Sequence, residues 1–330
     1  MKVLITGGAG YIGSITNAIL RQQGYDTIVF DNLALGHRTA VGDTKLVVGD
    51  LRNKDDIDHV FSQDRFDAVV HFAAYSLAGA SMEKPYEYYD NNLRGGLNLL
   101  EAMRTHGCSS IIFSSTSAVY GYPTKMPVTE EEVIEPVSVY GSSKRMVEEM
   151  IEWYGAIYGI RFVMLRYFNA AGATSDGNLG EAHVHESHII PIALEVAAGK
   201  RERFEVYGND YETPDGTCIR DYIHVVDLAD AHIRSIEYLA KEGKSIALNL
   251  GVGRGYSNLE VLSAVERVTG NKVERTFGKR RPGDPAKLWA DNTKAKALLG
   301  WNPKYSELET IISTAWKWYQ SHPEGYANRH

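Results

Sequence analysis

The chain has 330 residues, of which 44% are apolar, and it carries a formal net charge of −7 at pH 7. This length allows one large α/β domain with an appended lobe, and the acidic balance argues against nucleic acid and anionic membranes as partners, because both attract basic surfaces. A strand is predicted to begin at Lys2, and no apolar run approaches the length of a membrane span, so we expect a cytoplasmic protein without membrane contact. Cys108 and Cys218 lack the spacing of a disulfide framework or a zinc site and are expected to be reduced thiols.

The first 31 residues predict a strand, a glycine turn, a helix and a second strand that ends in a carboxylate. After the aliphatic run at 2–6, Gly7, Gly10 and Gly13 follow at three-residue spacing, and Asp31 comes about twenty residues later. Glycines at these points let the backbone turn tightly and let a pyrophosphate approach the free N–H groups of the helix N-terminus. A carboxylate at the end of the second strand can accept both hydroxyls of an adenosine ribose, which favours NAD over NADP. The alternative is a glycine turn with a purely structural role.

Short apolar runs alternate with amphipathic segments beyond Asp31, which predicts an α/β fold with a doubly wound parallel Rossmann sheet. We expect an NAD-binding Rossmann domain over residues 1–175 and a smaller α/β substrate-binding lobe over residues 176–330. A strand at 246–250 is expected to return to the main sheet. The other predicted strands are 27–30, 46–48, 68–72, 110–114 and 162–166, and the predicted helices are 85–104, 140–154, 188–198, 226–240 and 308–321.

Tyr140 and Lys144 are four residues apart near the start of a predicted helix and therefore share one face. Because a positive charge beside a phenol favours the phenolate, we expect Lys144 to lower the pKa of Tyr140. Tyr140 would then act as a general base that takes the proton of a secondary alcohol while hydride leaves its carbon. Thr116, which follows a predicted strand, supplies a hydroxyl that can share this proton. The alternative is an ordinary contact on a helix surface.

Longer motifs resemble those of a known family nearly end to end. The glycine spacing, Thr116 and Tyr140-x-x-x-Lys144 are similar to the extended short-chain dehydrogenase/reductases. The more specific stretches at 81–85, 88–92, 166–169, 208–211 and 220–225 resemble the UDP-glucose 4-epimerase family.

This resemblance implies a reaction without net oxidation, in which UDP-galactose and UDP-glucose interconvert. Tyr140 would remove the proton from the sugar O4, hydride would pass from C4 to NAD, and the 4-keto sugar would rotate before hydride returns to its other face. Thr116 would position O4, and Lys144 would also hold the nicotinamide ribose. The residues that the resemblance places at NAD are Gly7, Gly10, Tyr11, Ile12, Gly13, Asp31, Asn32, Asp50, Leu51, Phe72, Ala73, Ala74, Asn92, Tyr140, Lys144 and Phe168.

The resemblance also implies a site for the UDP part of the substrate in the second lobe. Arg220 and Arg281 would face the diphosphate, and Asp284 would hold the uridine ribose, which suits the chemistry of guanidinium and carboxylate groups. Besides Thr116 and Tyr140 at the sugar, the pocket would be completed by Tyr207 near the uracil, Asn169, His188 and Ile189.

Two positions depart from the family pattern. Ser76 stands where several members carry a lysine, which leaves open how tightly NAD is retained. Leu288 stands at the position that gates the entry of N-acetylated sugars, and its intermediate size leaves open whether N-acetylated UDP-hexoses are substrates.

The sequence predicts no metal site, and the resemblance implies a homodimer. His183, His185 and His188 are close together, but no cysteine is nearby and hydride transfer needs no Lewis acid. In the family, helices corresponding to 85–104 and 140–154 pair with their copies in a homodimer.

Three other functions share parts of this sequence pattern. A nucleotide-sugar 4,6-dehydratase would carry an Asp-Glu pair after the threonine, whereas Ser117 and Ala118 follow Thr116 here. A non-catalytic NAD-binding protein would have no use for Tyr140, Lys144 and Thr116 together. A net nicotinamide reductase would release its cofactor in each cycle.

Overall fold

The computed structural model describes residues 1–184, 186–242, 244–281 and 284–326. The strands are β1 (Lys2–Thr6), β2 (Asp26–Asp31), β3 (Lys45–Val48), β4 (Ala68–His71), β5 (Ser110–Thr116), β6 (Arg161–Tyr167), β7 (Asn169–Ala171), β8 (Phe204–Tyr207), β9 (Ile219–Arg220), β10 (Tyr222–His224), β11 (Ile246–Leu250), β12 (Tyr256–Ser257), β13 (Arg275–Gly278) and β14 (Lys287–Leu288). The helices are α1 (Tyr11–Gln22), α2 (Lys54–Gln63), α3 (Ala78–Glu83), α4 (Pro85–Tyr89), α5 (Gly95–His106), α6 (Val139–Tyr158), α7 (Ile189–Ala197), α8 (Val225–Glu242), α9 (Asn258–Thr269), α10 (Thr293–Leu299) and α11 (Leu308–Ser321).

A seven-stranded parallel sheet in the order β11-β6-β5-β4-β1-β2-β3 forms the centre of the molecule. The chain moves from β1 to β3 in one direction and from β4 to β11 in the other, so the order reverses between β1 and β4. Ligands of doubly wound sheets bind outside the carboxyl ends of the strands at such a switch point. The predicted α/β fold with a Rossmann-type parallel sheet is confirmed.

The sheet is parallel because its strands are apolar on both faces and helices cover each face. Within β1, Val3, Leu4 and Ile5 are completely buried. Val3 and Ile5 belong to one core with residues of α1, α8 and α10, whereas Leu4 belongs to a second core with residues of α2, α5 and α6.

The predicted helix at 85–104 is not one regular α-helix. It consists of α4, a five-residue π-helical turn at Asp90–Arg94, and α5. Such turns displace a side chain from the regular helical face, and here Asn92 is buried within the turn.

A third core lies under α7, α9 and α11, next to the parallel pair β8 and β13. The strand β11 pairs with β6 in the main sheet, and Trp301 packs in the first core, so segments from beyond residue 175 complete the nucleotide half. The division of the chain at residue 175 therefore stays a prediction. Among the described residues, no helix is long and apolar enough to cross a membrane.

Candidate active site

The glycine turn lies at the switch point, between β1 and the first turn of α1. Gly7 has a φ of +75°, and a Cβ there would lie 2.5 Å from the Ala73 nitrogen. A Cβ on Gly13 would lie 2.3 Å from the Gly7 carbonyl oxygen. Gly10 differs, because a Cβ there would meet no described atom closer than 3.4 Å. Packing within the chain explains Gly7 and Gly13, while the open space at Gly10 and the free N–H groups of α1 fit a pyrophosphate.

Asp31 is fixed beside this turn at the end of β2. Its Oδ2 accepts a hydrogen bond from the Ala9 N–H (2.9 Å), and its Oδ1 accepts one from the Leu33 N–H (2.8 Å). Burial raises the pKa of Asp31, and these two backbone hydrogen bonds oppose that shift. Because Ala9 belongs to the glycine turn, the Asp31 carboxylate is fixed relative to that turn. This suits the predicted role of Asp31 in binding a ribose.

Asp50 and Asn32 lie beyond the ends of neighbouring strands, where the Asn32 amide donates to the Asp50 carboxylate (3.1 Å). The Arg52 guanidinium, 2.6 Å from Asp50 Oδ2, holds the pKa of that carboxyl well below its ordinary value. Leu51 between them is buried in the second core. Asp50 is thus already paired with a neighbouring cation.

The predicted residues after β4 lie at the same edge of the sheet. The N–H groups of Phe72 (2.9 Å) and Ala73 (3.1 Å) both donate to the Thr6 carbonyl oxygen, which draws this loop against the glycine turn. Ala74 follows in the same partly buried loop, and Ser76 is exposed.

Asn92 uses its side chain to join this loop to α6. Its oxygen accepts from the Tyr75 N–H (2.9 Å), and its amide donates to the Tyr75 carbonyl oxygen (3.1 Å) and to Ser143 Oγ (2.9 Å). The structure therefore gives Asn92 a bracing contact between the two predicted cofactor segments.

Of three further residues predicted at the cofactor, Tyr11 and Ile12 begin α1 directly after the glycine turn, whereas Phe168 lies beyond β6. The Tyr11 hydroxyl donates to the Gly172 carbonyl oxygen (2.5 Å), which ties α1 to the segment that leads into the second lobe. Ile12 packs against the first core, and Phe168 is buried with Tyr120 in a small cluster beyond β6.

Tyr140, in the first turn of α6, lies beside the Thr116 hydroxyl at the carboxyl end of β5. Two close contacts bring α6 to this position. The Tyr140 N–H donates to Ser81 Oγ (3.0 Å), and a Cβ on Gly141 would lie 2.5 Å from the Ala118 carbonyl oxygen. Only glycine at 141 allows the helix start to approach the residues that follow Thr116 so closely.

Lys144 lies on the same helix face but is directed at the strand. Its ammonium donates to the Ser114 carbonyl oxygen (2.8 Å) and lies 4.9 Å from the centre of the Phe113 ring. Burial lowers the pKa of Lys144 to about 7. Burial also raises the pKa of Tyr140 to about 12, while the neighbouring Thr116 hydroxyl opposes this shift. The expectation that Lys144 lowers the Tyr140 pKa is wrong for the chain alone, because burial of the phenol raises that pKa.

The sequence interpretation missed an ion pair directly behind these residues. Both carboxylate oxygens of Glu148 accept hydrogen bonds from the Arg166 guanidinium (2.8 Å each), and Ser115 Oγ donates to Glu148 (2.6 Å). The pair links β5, β6 and α6 one turn beyond Lys144. A carboxylate on the buried face of a predicted helix was the available signal, because such a group needs a buried partner.

In the second lobe, the structure brings the predicted uridine-diphosphate residues together in two pairs. Arg220 Nη2 is 3.5 Å from Asp284 Oδ1, and the Arg281 guanidinium lies 4.0 Å from the centre of the Tyr207 ring. Leu288 pairs with Arg220 across β14 and β9 and packs near Phe168 and Tyr120. The gating position therefore lies between the second lobe and the end of β6.

The remaining predicted substrate residues, Asn169, Ile189 and His188, do not lie together in one cluster. The Asn169 amide donates to the Asp221 carbonyl oxygen (2.8 Å), next to Arg220. Ile189 begins α7 and packs on the third core. His188 instead contacts Glu181 and Glu186, with 2.8 Å from its Nδ1 to an oxygen of each. His185 lies outside the described residues.

A glycine turn at the switch point, with a half-buried tyrosine and a buried lysine one helical turn apart at the carboxyl end of β5, defines the dinucleotide-dependent short-chain dehydrogenase/reductase class. A family model described as "GDP-mannose 4,6 dehydratase" matches residues 4–314.

Individual relatives match over the full length. The chain is 49% identical over 330 residues to a UDP-glucose 4-epimerase of Lacticaseibacillus casei, covering 100% of both chains. The crystal structure of UDP-glucose 4-epimerase from Brucella ovis in complex with NAD superposes with a TM-score of 0.93 at 47% identity, over 96% of this chain and 97% of that one. The enzyme from Bifidobacterium longum, in complex with NAD+ and UDP, gives a TM-score of 0.94 at 39% identity, over 99% and 100% of the two chains. The chain belongs to the UDP-glucose 4-epimerase family.

Proposed function

We propose that the chain interconverts UDP-galactose and UDP-glucose with NAD as its cofactor. Relatives at 49% identity over the full length carry this activity in their names, and solved relatives hold NAD. The observation that carries the proposal is the position of Tyr140, in the first turn of α6 beside the Thr116 hydroxyl that ends β5, at the same sheet edge as the glycine turn. This arrangement supports a proton-accepting group beside the proposed dinucleotide site.

NAD fits the nucleotide half by its chemistry. The open space at Gly10 suits the pyrophosphate, and Asp31, fixed by two backbone N–H groups, suits a ribose diol. When bound, NAD accepts hydride from C4 of the sugar and returns it to the opposite face.

Tyr140 is the group that takes and returns the O4 proton. Its pKa near 12 in the protein alone means that the phenol keeps its own proton until a further positive charge stabilises the phenolate. Thr116, whose hydroxyl lies beside Tyr140, would share the proton in the complex. Lys144, anchored at the Ser114 carbonyl oxygen, adds a positive charge beside the site when protonated.

We assign the UDP part of the substrate to the second lobe. The Arg220–Asp284 contact of 3.5 Å is long enough to exchange for new partners, so that Arg220 and Arg281 meet the diphosphate and Asp284 meets the uridine ribose. Tyr207 offers an aromatic face beside Arg281. Asn169, His188 and Ile189 stay predicted pocket residues.

Elimination of water, as in a 4,6-dehydratase, is disfavoured although the matching family model bears that name. Ser117 and Ala118 follow Thr116 in a short 3-10 turn, so neither position supplies the carboxylate that an elimination needs.

The test is to incubate the purified protein with UDP-galactose, adding neither NAD nor an acceptor, and to follow the sugar by NMR. We expect conversion to UDP-glucose, with NAD detected in the denatured protein. Absence of conversion after NAD has been added would refute the proposed activity. A parallel sample with UDP-N-acetylglucosamine reports whether Leu288 admits an N-acetyl group.

We also propose that α5 and α6 pair with the same helices of a second copy. Support comes from large apolar side chains exposed on these helices, including Trp153 (68% exposed), Ile157 (63%) and Leu97 (45%). Trp153→Glu is expected to shift the mass measured by light scattering from a dimer to a monomer. Phe277→Glu, which changes an exposed aromatic side chain on β13, is the control and is expected to leave the mass unchanged.

We propose a cytoplasmic location because the two cysteines form no disulfide. Cys108 and Cys218 are both free and buried. Unpaired thiols are typical of reducing compartments.

A further inference from the structure

Four side chains at the start of the second lobe, Glu181, His183, Glu186 and His188, direct their polar atoms at one another; we call them the His–Glu cluster. One ligand atom from each lies within 4.8 Å of the other three. The Nδ1 of His188 is 2.8 Å from a carboxylate oxygen of Glu181 and 2.8 Å from one of Glu186. The Nδ1 of His183 is 3.2 Å and 3.3 Å from oxygens of the same two carboxylates.

We propose that the His–Glu cluster binds one divalent transition-metal ion of the zinc type. Two imidazole nitrogens and two carboxylate oxygens form a four-ligand set that suits zinc better than magnesium or calcium. Bonds of about 2.0–2.2 Å around a tetrahedral zinc ion place the ligand atoms roughly 3.3–3.6 Å apart. The histidine–carboxylate contacts of 2.8–3.3 Å need to lengthen slightly to admit the ion, and the longest separation in the set, up to 4.8 Å, needs to shorten by about 1.2 Å. The two carboxylates balance the charge of the ion once both imidazoles are deprotonated, as metal binding requires.

The Glu186 carboxylate and the Glu181 backbone are held in place by the surrounding chain. Oε1 of Glu186 accepts hydrogen bonds from the N–H groups of Ser187 (2.7 Å) and His188 (2.8 Å). The Glu181 carbonyl oxygen accepts from Trp318 Nε1 of α11 (2.9 Å). Such outer contacts orient metal ligands and limit their freedom before the ion binds.

Access from solvent is open on the histidine side only. The side chains of Glu181 and Glu186 are 8% and 12% exposed, whereas those of His183 and His188 are 32% and 46% exposed. An ion can therefore reach the imidazoles from solvent and settle against the shielded carboxylates.

The position of the cluster indicates a structural role. Ala182 lies between two of its members, and its carbonyl oxygen is 2.8 Å from His37 Nε2 in the nucleotide half. Trp318 contacts Glu181 from the second lobe. Because the protein fills all four positions, the ion would fix this segment against both halves and would leave no site for an activated water. Hydride transfer does not pass through it.

This proposal departs from the prediction of no metal, which weighed the histidine spacing without the two glutamates. Glu181 and Glu186 meet the histidines only after the segment folds back on itself. His188 would then use Nδ1 for the ion.

The test measures the binding of Co²⁺, which replaces Zn²⁺ in its sites and absorbs visible light. The full chain, with any affinity tag removed, is stripped with a chelator and titrated with Co²⁺ while its visible absorption is followed. We expect one equivalent to give the intense absorption of a four-coordinate ion, Zn²⁺ to displace it, and Zn²⁺ to raise the unfolding temperature. These readouts do not depend on epimerase activity, so they fail separately from the proposed function.

Variants separate binding from folding. His183→Ala and Glu181→Gln are each expected to weaken Co²⁺ binding by at least about tenfold. His59→Ala, which removes an exposed histidine on α2, is the matched control and should bind as the parent does. Glu181→Gln keeps the side-chain shape, so its unfolding temperature without metal is expected to match that of the parent. Equal Co²⁺ affinity in all four proteins, or only the weak absorption of a six-coordinate ion, would overturn the proposal.

Discussion

The cofactor half and the substrate half of the site are built differently. Asp31 is 8% exposed and bonds two backbone N–H groups, and Lys144 is buried against a backbone carbonyl oxygen. In the second lobe, the Asp284 side chain is 40% exposed and meets only the Arg220 guanidinium, at 3.5 Å, among the ion pairs of the described residues. The side chains predicted to bind the cofactor are fixed by backbone hydrogen bonds. In the second lobe, Arg220 and Asp284 contact each other, and a ligand can take the place of either partner.

This difference suits an epimerase that keeps its cofactor and exchanges its substrate. A rigid seat loses little conformational entropy when it binds, which favours a retained ligand. The Arg220–Asp284 contact is 3.5 Å long and its carboxylate is 40% exposed, so breaking it for a diphosphate costs little in each turnover.

The largest expected effect is on turnover. Tyr140→Phe removes the hydroxyl beside Thr116 and is expected to lower turnover by about 10²–10⁴-fold. NMR of UDP-galactose conversion measures the rate, and unfolding temperature checks the fold.

Tyr89→Phe is the matched control. Its hydroxyl contacts Ser142 on α6 (3.3 Å), and it has no part in the proposed reaction. Near-parental turnover of Tyr140→Phe would remove Tyr140 from the proton transfer.

The cofactor seat is tested by two glycines that differ in their surroundings. Gly10→Ala adds a methyl group to the open space and is expected to lower the NAD content of the purified protein at least about tenfold. Its unfolding free energy, measured without cofactor, should fall by less than about 1 kcal/mol. If Gly10→Ala retains as much NAD as the parent, the pyrophosphate does not lie at Gly10.

Gly13→Ala is the comparison. The new Cβ would lie 2.3 Å from the Gly7 carbonyl oxygen, so we expect the unfolding free energy to fall by about 1–3 kcal/mol as well as a loss of NAD.

The sequence predicts the nucleotide half of the molecule better than the second lobe. The sheet could be predicted because strands buried on both faces are continuous apolar runs. The glycine turn could be predicted because the glycine spacing and the helix that follows it lie within one short stretch of sequence, although Gly7 also packs against Ala73. The Glu148–Arg166 pair could not, because its partners lie on α6 and β6 and meet only when the helix packs on the sheet. The protonation of Tyr140 was mispredicted for a related reason, since helical spacing shows its distance from Lys144 but not the depth of burial.

In the second lobe, the sequence alone predicts even less about which residues contact each other. Lys279, Arg280 and Arg281 form one basic run, and only the family resemblance distinguished Arg281. In the structure Arg280 pairs with Asp210, whereas Arg281 lies over the Tyr207 ring. Two adjacent arginines thus have different partners that local sequence does not reveal.

These two arginines give the third prediction. Arg281→Ala is expected to weaken UDP binding by about tenfold or more, because a charge-assisted hydrogen bond contributes about 1.5–3 kcal/mol. Isothermal titration calorimetry measures the affinity, and NAD content should not change. Arg280→Ala is the control, and an equal loss of affinity in both variants would assign the effect to general charge rather than to a diphosphate contact.

The smallest expected effect concerns stability and would sharpen the contrast between the halves. Burial lowers the pKa of Lys144 to about 7 in the folded chain, while an unfolded lysine keeps a value near 10.4. Below pH 7 both states carry the charge, so folding bears the full cost of burying an ammonium. Between about pH 7 and 10 the folded chain releases this proton while the unfolded chain keeps it, and the stability of the parent rises.

Lys144→Met removes this buried charge. In urea unfolding without cofactor, the variant is expected to be more stable than the parent at pH 6 by on the order of 1 kcal/mol, and this advantage should shrink towards pH 9. Lys296→Met, on an exposed position of α10, should show no such pH dependence. An advantage that is constant with pH would mean that the ammonium is solvated in the folded chain. A shrinking advantage would show that the cofactor half bears a stability cost to hold a cation at the reaction centre, which the exposed pairs of the second lobe do not bear.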